Sequence, residues 1–204
     1  TVVNLAIAND WMHKNPFAGI RFQEKEVIRE VLTKEEIERM MCKEFALPRL
    51  EYVRDVFIFC VFTGMAYVDV NNLRQEHIVR DNNDDLWIRK ARQKTNNMCN
   101  IPLLKIPQLL MEKYKNHPLC TKTGALLPVP SNQKMNSYLK EIADFCGIQK
   151  NLTTHTARHT FATVVALANG VSMENIAKML GHSDIRMTQR YAKVMDSSIM
   201  RDME

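Results

Sequence analysis

One stretch, Thr153 to Tyr191 (TTHTARHTFATVVALANGVSMENIAKMLGHSDIRMTQRY), constrains the fold more than any other part of the chain. Helix starts and stops alternate along it. Thr153 or Thr154 is a suitable N-cap, and the apolar run to Ala168 followed by Gly170 reads as a helix with its stop. Ser172 opens a second helix that Gly181 ends, and Ser183 opens a third that carries Tyr191. On the first helix His155 and Arg158 lie at i and i+3 and so share a face, with His159 one position round. His182 follows the second stop. Three short helices can therefore bring an arginine, two or three histidines and a phenol to one place.

The chain has 204 residues, room for one large domain or one domain and a fragment of another. Apolar content of 46% with 25% charged residues is that of a soluble globular protein, not of a disordered chain. No run of about 18 apolar residues occurs, so no membrane span is expected. The net charge of +5 is compatible with a phosphate-rich partner without demanding one. Five cysteines, odd in number and without a CxxC pair, suit a reducing cytosol and argue against a zinc ribbon or a disulfide scaffold. No signal peptide is visible, and the start at Thr1 inside a helical pattern reads as a piece of a longer protein.

Residues 1 to 13 have helical spacing, which Asn15-Pro16-Phe17 breaks, and the mixed, charged residues 17 to 32 suit a linker. Thr33 with Glu36 forms a capping box that opens a helix to about Phe45. After Pro48, residues 50 to 63 form a strongly apolar helix ended by Gly64, the expected centre of the core. A short helix from about Asp69 to Leu73 follows. The period then changes: DLWIRKARQ, the polar turn TNNM and CNIPLL read as a β-hairpin. Ile106 to His117 returns to helix, Pro128 and Pro130 mark a loop, and Ser131 caps a helix through Phe145 that ends at Gly147. The predicted class is mainly α with one small antiparallel β-sheet or hairpin (α+β).

HTARHTFAT followed by LGHSDIRMTQRYAKV resembles the tyrosine recombinase, or phage-type integrase, family. That family's signature is an HxxRH box, a later GH and a nucleophilic tyrosine about nine residues on. TGMAYVDVNNL resembles its first arginine box, and RQKT before IPLL its lysine-bearing hairpin. The likeness covers residues 15 to 195, and the boxes are most similar to those of conjugative or mobilisable transposon integrases. It implies a tyrosine recombinase catalytic-domain fold over residues 33 to 194, with 1 to 16 a remnant of the core-binding domain and 17 to 32 the linker. Residues 195 to 204, with Val194, Ile199 and Met200 as apolar anchors in or beside them, would form a tail. The tail either packs on a neighbouring protomer or folds back on its own domain.

Elementary chemistry supports the implied activity. A tyrosine phenol has a pKa near 10, so about a thousandth is ionised at neutral pH. To attack a phosphodiester it needs a proton acceptor and a polarised phosphate. Arginine, planar and permanently charged, is the matched phosphate ligand, and a histidine can take or give the proton. The covalent 3′-phosphotyrosyl link conserves bond energy, so rejoining calls for no cofactor and no metal. By resemblance Tyr191 is the nucleophile, Arg158 clamps the scissile phosphate with His155 beside it, and His182 hydrogen-bonds the phosphate. Lys94 is the general acid for the leaving 5′-hydroxyl. His159 is either a helper or a buried polar group bonded to a neighbouring helix. Asp69 either orients an active-site cation or is a plain helix N-cap.

One position departs from the pattern. Most members carry arginine where this chain has Ala66, which cannot bind phosphate. Arg92 lies two residues before Lys94, and i and i+2 face the same side of a strand, so Arg92 is the first candidate for the missing charge. Arg74 is the second. Ala66 also leaves open a DNA-binding relative with impaired catalysis, and the chemistry alone leaves open a type IB topoisomerase-like relaxer.

A metal site on His155 and His159 is not expected, because Thr156 stands where a zinc protease helix needs glutamate and Arg158 repels a cation. Lys134, with Ser131 and Asn132 at the amino end of their helix, offers a further DNA-phosphate contact. The partners implied are double-stranded DNA bearing attachment sites, a homotetramer on DNA from a free monomer, and accessory DNA-bending proteins. No membrane is implied. The expected setting is the bacterial cytoplasm, at the nucleoid when bound to DNA.

Overall fold

The computed structural model describes residues 2–20 and 30–192. Its organising element is α3 (Pro48–Thr63). Pro48, whose missing N–H costs nothing in the first turn, starts it, and Gly64 stops it in the left-handed region at φ 66°, with its N–H on Cys60 O at 2.8 Å. A side chain at Gly64 would be doubly excluded, since a Cβ would lie 2.4 Å from Phe161 Cδ1. Leu50, Val53, Val56, Phe57, Ile58, Phe59, Cys60 and Val61 bury every face of the helix, and α2 (Lys34–Cys42), α5 (Lys105–Tyr114), α7 (Asn132–Phe145) and α8 (Thr154–Thr160) pack round it.

Two of the charges on this helix, Arg54 and Asp55, are buried, and both are paired. Arg54 donates to Met40 O, Met41 O and Lys43 O, closing the open carbonyls at the end of α2. Asp55 accepts from Arg54, Lys113 and Tyr114. Burial, then the Asp55 contact, raises the Tyr114 phenol well above its usual range.

Thr33 forms the expected capping box with Glu36, and Ser131 caps α7 as read from the sequence. The sheet holds more than a hairpin. Three antiparallel strands run in order β1 (Ile78–Arg80), β2 (Leu86–Ala91), β3 (Met98–Pro102), with Ile88 opposite both Ile78 and Ile101. The helix expected to reach His117 ends at Tyr114 as α5, and a further helix not read from the sequence, α6 (Pro118–Thr123), follows with His117 as its cap and Pro118 in its first turn. The short helix α4 is Tyr67–Asn71, two residues earlier than expected. At the N-terminus α1 (Val2–Ala8) buries no residue, and Asn15 Oδ1 accepts the Phe17 N–H at the predicted break. Residues 21–29 of the expected linker and the expected tail lie outside the described residues.

After Thr160 the chain of α8 changes winding: Phe161–Ala166 is π-helical and Leu167–Asn169 is a 3-10 turn before Gly170. It then meets α9 (Met173–Leu180) and α10 (Arg186–Ala192). Phe161, Ala162, Ala166, Leu167, Ile176, Leu180 and Tyr191 make a second apolar cluster. The last helix starts two residues later than a cap at Ser183 implied, with Asp184 Oδ1 accepting the Arg186 N–H. Among the described residues no helix is long and apolar enough to cross a membrane.

Candidate active site

Two helix stops build the floor of the site. Gly64 and Gly181 end α3 and α9 in the left-handed conformation, leaving carbonyls of those last turns open. Arg158, on α8 and 6% exposed, donates from Nη1 to Gly64 O and from Nη2 to Leu180 O, both at 2.6 Å. Its Nη2 also lies 3.3 Å from His182 Nε2. A guanidinium has five donors, and these contacts use three of them, so two remain for an anion. Burial, and then Arg92, lower the Arg158 pKa from its ordinary value.

His182 completes the link to the tyrosine helix. Arg158 has no acceptor, so Nε2 of His182 is the acceptor in that contact and the ring proton sits on Nδ1, 2.8 Å from Thr188 Oγ1. Burial, followed by Arg158, Arg92 and His159, lowers the His182 pKa to about 4, which leaves the ring neutral near pH 7. Tyr191 is 8% exposed. Its ring stacks on His182 with centroids 6.3 Å apart at 11°, and lies 5.3 Å from that of His159 at 54°. Ionised Tyr191 would stabilise charged Arg158.

The sheet supplies the other wall. Ile88 and Lys90 on β2 share a face with Cys99 and Ile101 on β3, their cross-strand partners. That face meets α9. A cavity of about 10 Å³, room for roughly one water, is lined there by Lys90, Arg92, Arg158, Asp69, Cys99 and Met65 among others. Three cations thus face one carboxylate. Arg92 Nε lies 3.8 Å from Asp69 Oδ2, an ion pair too long for a hydrogen bond, and this buried N–H has no hydrogen-bond partner. Gly181 makes room for Arg92, because a Cβ there would be 2.7 Å from Arg92 Cδ and from Cys99 Sγ.

Several expectations need correction. β2 stops at Ala91, and a turn closed by Arg92 N–H on Asn97 O and Asn96 N–H on Arg92 O follows. Arg92 therefore shares its direction with Ile88 and Lys90, not with Lys94, which lies exposed in the turn and does not line the cavity. Arg74 turns elsewhere, donating to Asn71 O and Leu73 O. Asp69 is not an N-cap: Ala66 occupies that place, and Asp69 Oδ1 instead accepts the Gln93 N–H at 3.0 Å. His155 is exposed and lines an open hollow with His159 and Glu30, whereas Arg158 lines the closed cavity. Ser131, Asn132 and Lys134 are exposed, with Ser131 Oγ accepting the Lys134 N–H.

Lys90, Cys99 and Thr188 were not singled out from sequence. Parity along Ile88, Lys90 and Arg92 was the available signal for Lys90. Thr188 lies one helical turn before Tyr191. Among the described residues no three His, Cys, Asp or Glu side chains stand together as a metal site.

A mainly helical fold with one small antiparallel sheet, holding a buried arginine between helix stops beside a histidine and a tyrosine, defines a tyrosine recombinase catalytic domain. The model of the phage integrase family matches residues 30–198, and the chain belongs to that family. The tyrosine recombinase XerD of Staphylococcus saprophyticus is 40% identical over 95 residues, which are 47% of this chain and 31% of that protein. The chain thus spans less than a third of the length of this relative. A Tn1549 transposon integrase in complex with circular intermediate DNA superposes with a TM-score of 0.70 at 17% identity, covering 98% of this chain and 74% of the other. The XerA recombinase superposes at 0.64 with 23% identity, covering 88% and 65%.

Proposed function

We propose that this chain carries the catalytic centre of a site-specific DNA recombinase, which integrates and excises a mobile element through a 3′-phosphotyrosyl intermediate. One observation carries the reading: Arg158, His182 and Tyr191 form a continuous chain of contacts, Arg158 to His182 at 3.3 Å and His182 stacked on Tyr191. In this reading Tyr191 attacks the scissile phosphate and Arg158 offers its two unused donors to the non-bridging oxygens. Arg92, directed into the same cavity with an unsatisfied N–H, takes the place of the arginine absent at Ala66. Asp69 holds Arg92 in place. Lys94, exposed on the β2–β3 turn, reaches the leaving 5′-oxygen once duplex DNA lies across the site. His155 and His159 flank the tyrosine side, and Ser131, Asn132 and Lys134 contact a neighbouring phosphate.

Neutral His182 cannot donate from Nε2 in the DNA-free state, so its contact with a phosphate oxygen requires a proton taken up on binding. The substrate class is double-stranded DNA with attachment sites. Strand exchange requires four such sites, hence a tetramer on DNA assembled from monomers, aided by DNA-bending proteins, in the bacterial cytoplasm. The test is a duplex nicked near the cleavage point so that religation fails. The expected result is a covalent protein–DNA adduct that Tyr191→Phe abolishes, and an adduct that survives this substitution assigns the nucleophile elsewhere.

A further inference from the structure

Thr188 is fully buried on α10, three residues before Tyr191 and therefore on nearly the same helix face. Its Oγ1 lies 2.8 Å from His182 Nδ1. On the opposite edge of the same imidazole, Nε2 receives an Arg158 donor at 3.3 Å. One ring thus joins the tyrosine helix to the arginine, and its two nitrogens have fixed and different duties. We propose that Thr188 is a positioning residue that fixes the proton of His182 on Nδ1 and, through that ring, holds the Tyr191 helix against Arg158.

Arg158 demands an acceptor at Nε2, and neutral imidazole then has a donor at Nδ1, which would be buried without a partner if Thr188 lost its hydroxyl. Moving the proton to Nε2 would instead set it against the guanidinium. Either outcome loosens the contact between α10 and the floor of the site. The charged or titratable groups facing His182 are Arg158 and His159 on α8, Arg92 in the β2–β3 turn and Tyr191 on α10.

A consequence rests on the recombinase reading above. With Nδ1 already protonated and committed to Thr188, a second proton taken up when a phosphate arrives can land only on Nε2, and the Arg158 donor that occupies that nitrogen in the free protein must then turn to the phosphate. Arg158 and the hydroxyl, one at each nitrogen, therefore together select the nitrogen that meets the DNA.

The experiment labels the histidines of the full chain with nitrogen-15 and reads the tautomer of His182 near pH 7, assigned against His182→Gln. The wild type is expected to show Nδ1–H, Thr188→Ser to retain it, and Thr188→Val to lose it to a mixture or to Nε2–H. Covalent trapping on nicked duplex should slow about tenfold in Thr188→Val, the effect of one lost hydrogen bond, and stay near wild type in Thr188→Ser. Thr188→Ala removes the hydroxyl without adding bulk and repeats the test where valine disturbs folding. An unchanged tautomer in the valine and alanine variants overturns the inference, as does equal slowing of the serine and valine variants. A wild type that forms no covalent adduct overturns the recombinase reading instead, and the tautomer still decides the role of Thr188.

Discussion

The two walls of the site differ in how completely their polar groups are paired. On the helical wall Arg158 is held by two helix-end carbonyls and His182, and His182 is held by Thr188. On the sheet wall Arg92 Nε is buried without a hydrogen-bond partner, and Lys94 lies exposed on a turn. The first wall is preorganised and the second is incomplete. A buried unsatisfied donor costs on the order of 1–3 kcal/mol, and an arriving anion would recover that cost. The helical wall is thus held by its own hydrogen bonds in the free protein, whereas on the sheet wall Arg92 Nε is left with a donor to spare.

The largest expected effect breaks the preorganised wall. Arg158→Ala should reduce covalent trapping by about 10³-fold or more, since it removes both the phosphate ligand and the bonds to Gly64 O and Leu180 O. Its thermal melt should also fall, because those carbonyls lose a buried partner. Next, Lys94→Ala should slow cleavage by at least about 100-fold, the loss expected for a general acid, with little change in thermal stability because the side chain is exposed. A substrate whose leaving oxygen is replaced by sulfur, a better leaving group, should recover most of that loss. Equal slowing on both substrates would remove Lys94 from the acid role.

Gly64→Ala sharpens the same contrast through stability. The added Cβ meets Phe161 at 2.4 Å in a left-handed backbone, and denaturant unfolding should show a loss of about 3 kcal/mol. The smallest effect is a pH dependence. His182 is pushed to about 4 from an unfolded value of 6.5, so the unfolded chain gains a proton first as pH falls. Stability should therefore decline from about pH 6.5 down to about pH 4, by on the order of 2 kcal/mol from this group, and flatten below. His182→Gln should lack that part of the decline in urea titrations across this range.

Much of this was legible in the sequence because caps and stops are local. Thr33 with Glu36, Ser131, Ser172, Gly64, Gly170 and Gly181 end or begin elements where their backbone demands predict. The central burial of α3 followed from its apolar run. What failed depended on tertiary context. β1 is three residues long and gains its place only by pairing with β2. The start of α10 passed from Ser183 to the Asp184 side chain. For Arg92 the parity argument rested on a strand running to Lys94, which would place both on one side, but the turn after Ala91 separates them and Arg92 lines the cavity with Lys90 instead. Thr188 carried no signal of its own, because a threonine one turn from a tyrosine is ordinary until its hydroxyl is seen to meet His182.

The central claim is that Arg92 supplies the charge missing at Ala66, and the rate of covalent trapping in Arg92→Ala tests it most directly. The account predicts a loss of at least about 100-fold on nicked duplex, with the fold retained by circular dichroism and some loss of thermal stability, because buried Asp69 loses its paired cation. Cleavage by Arg92→Ala at the wild-type rate would contradict it.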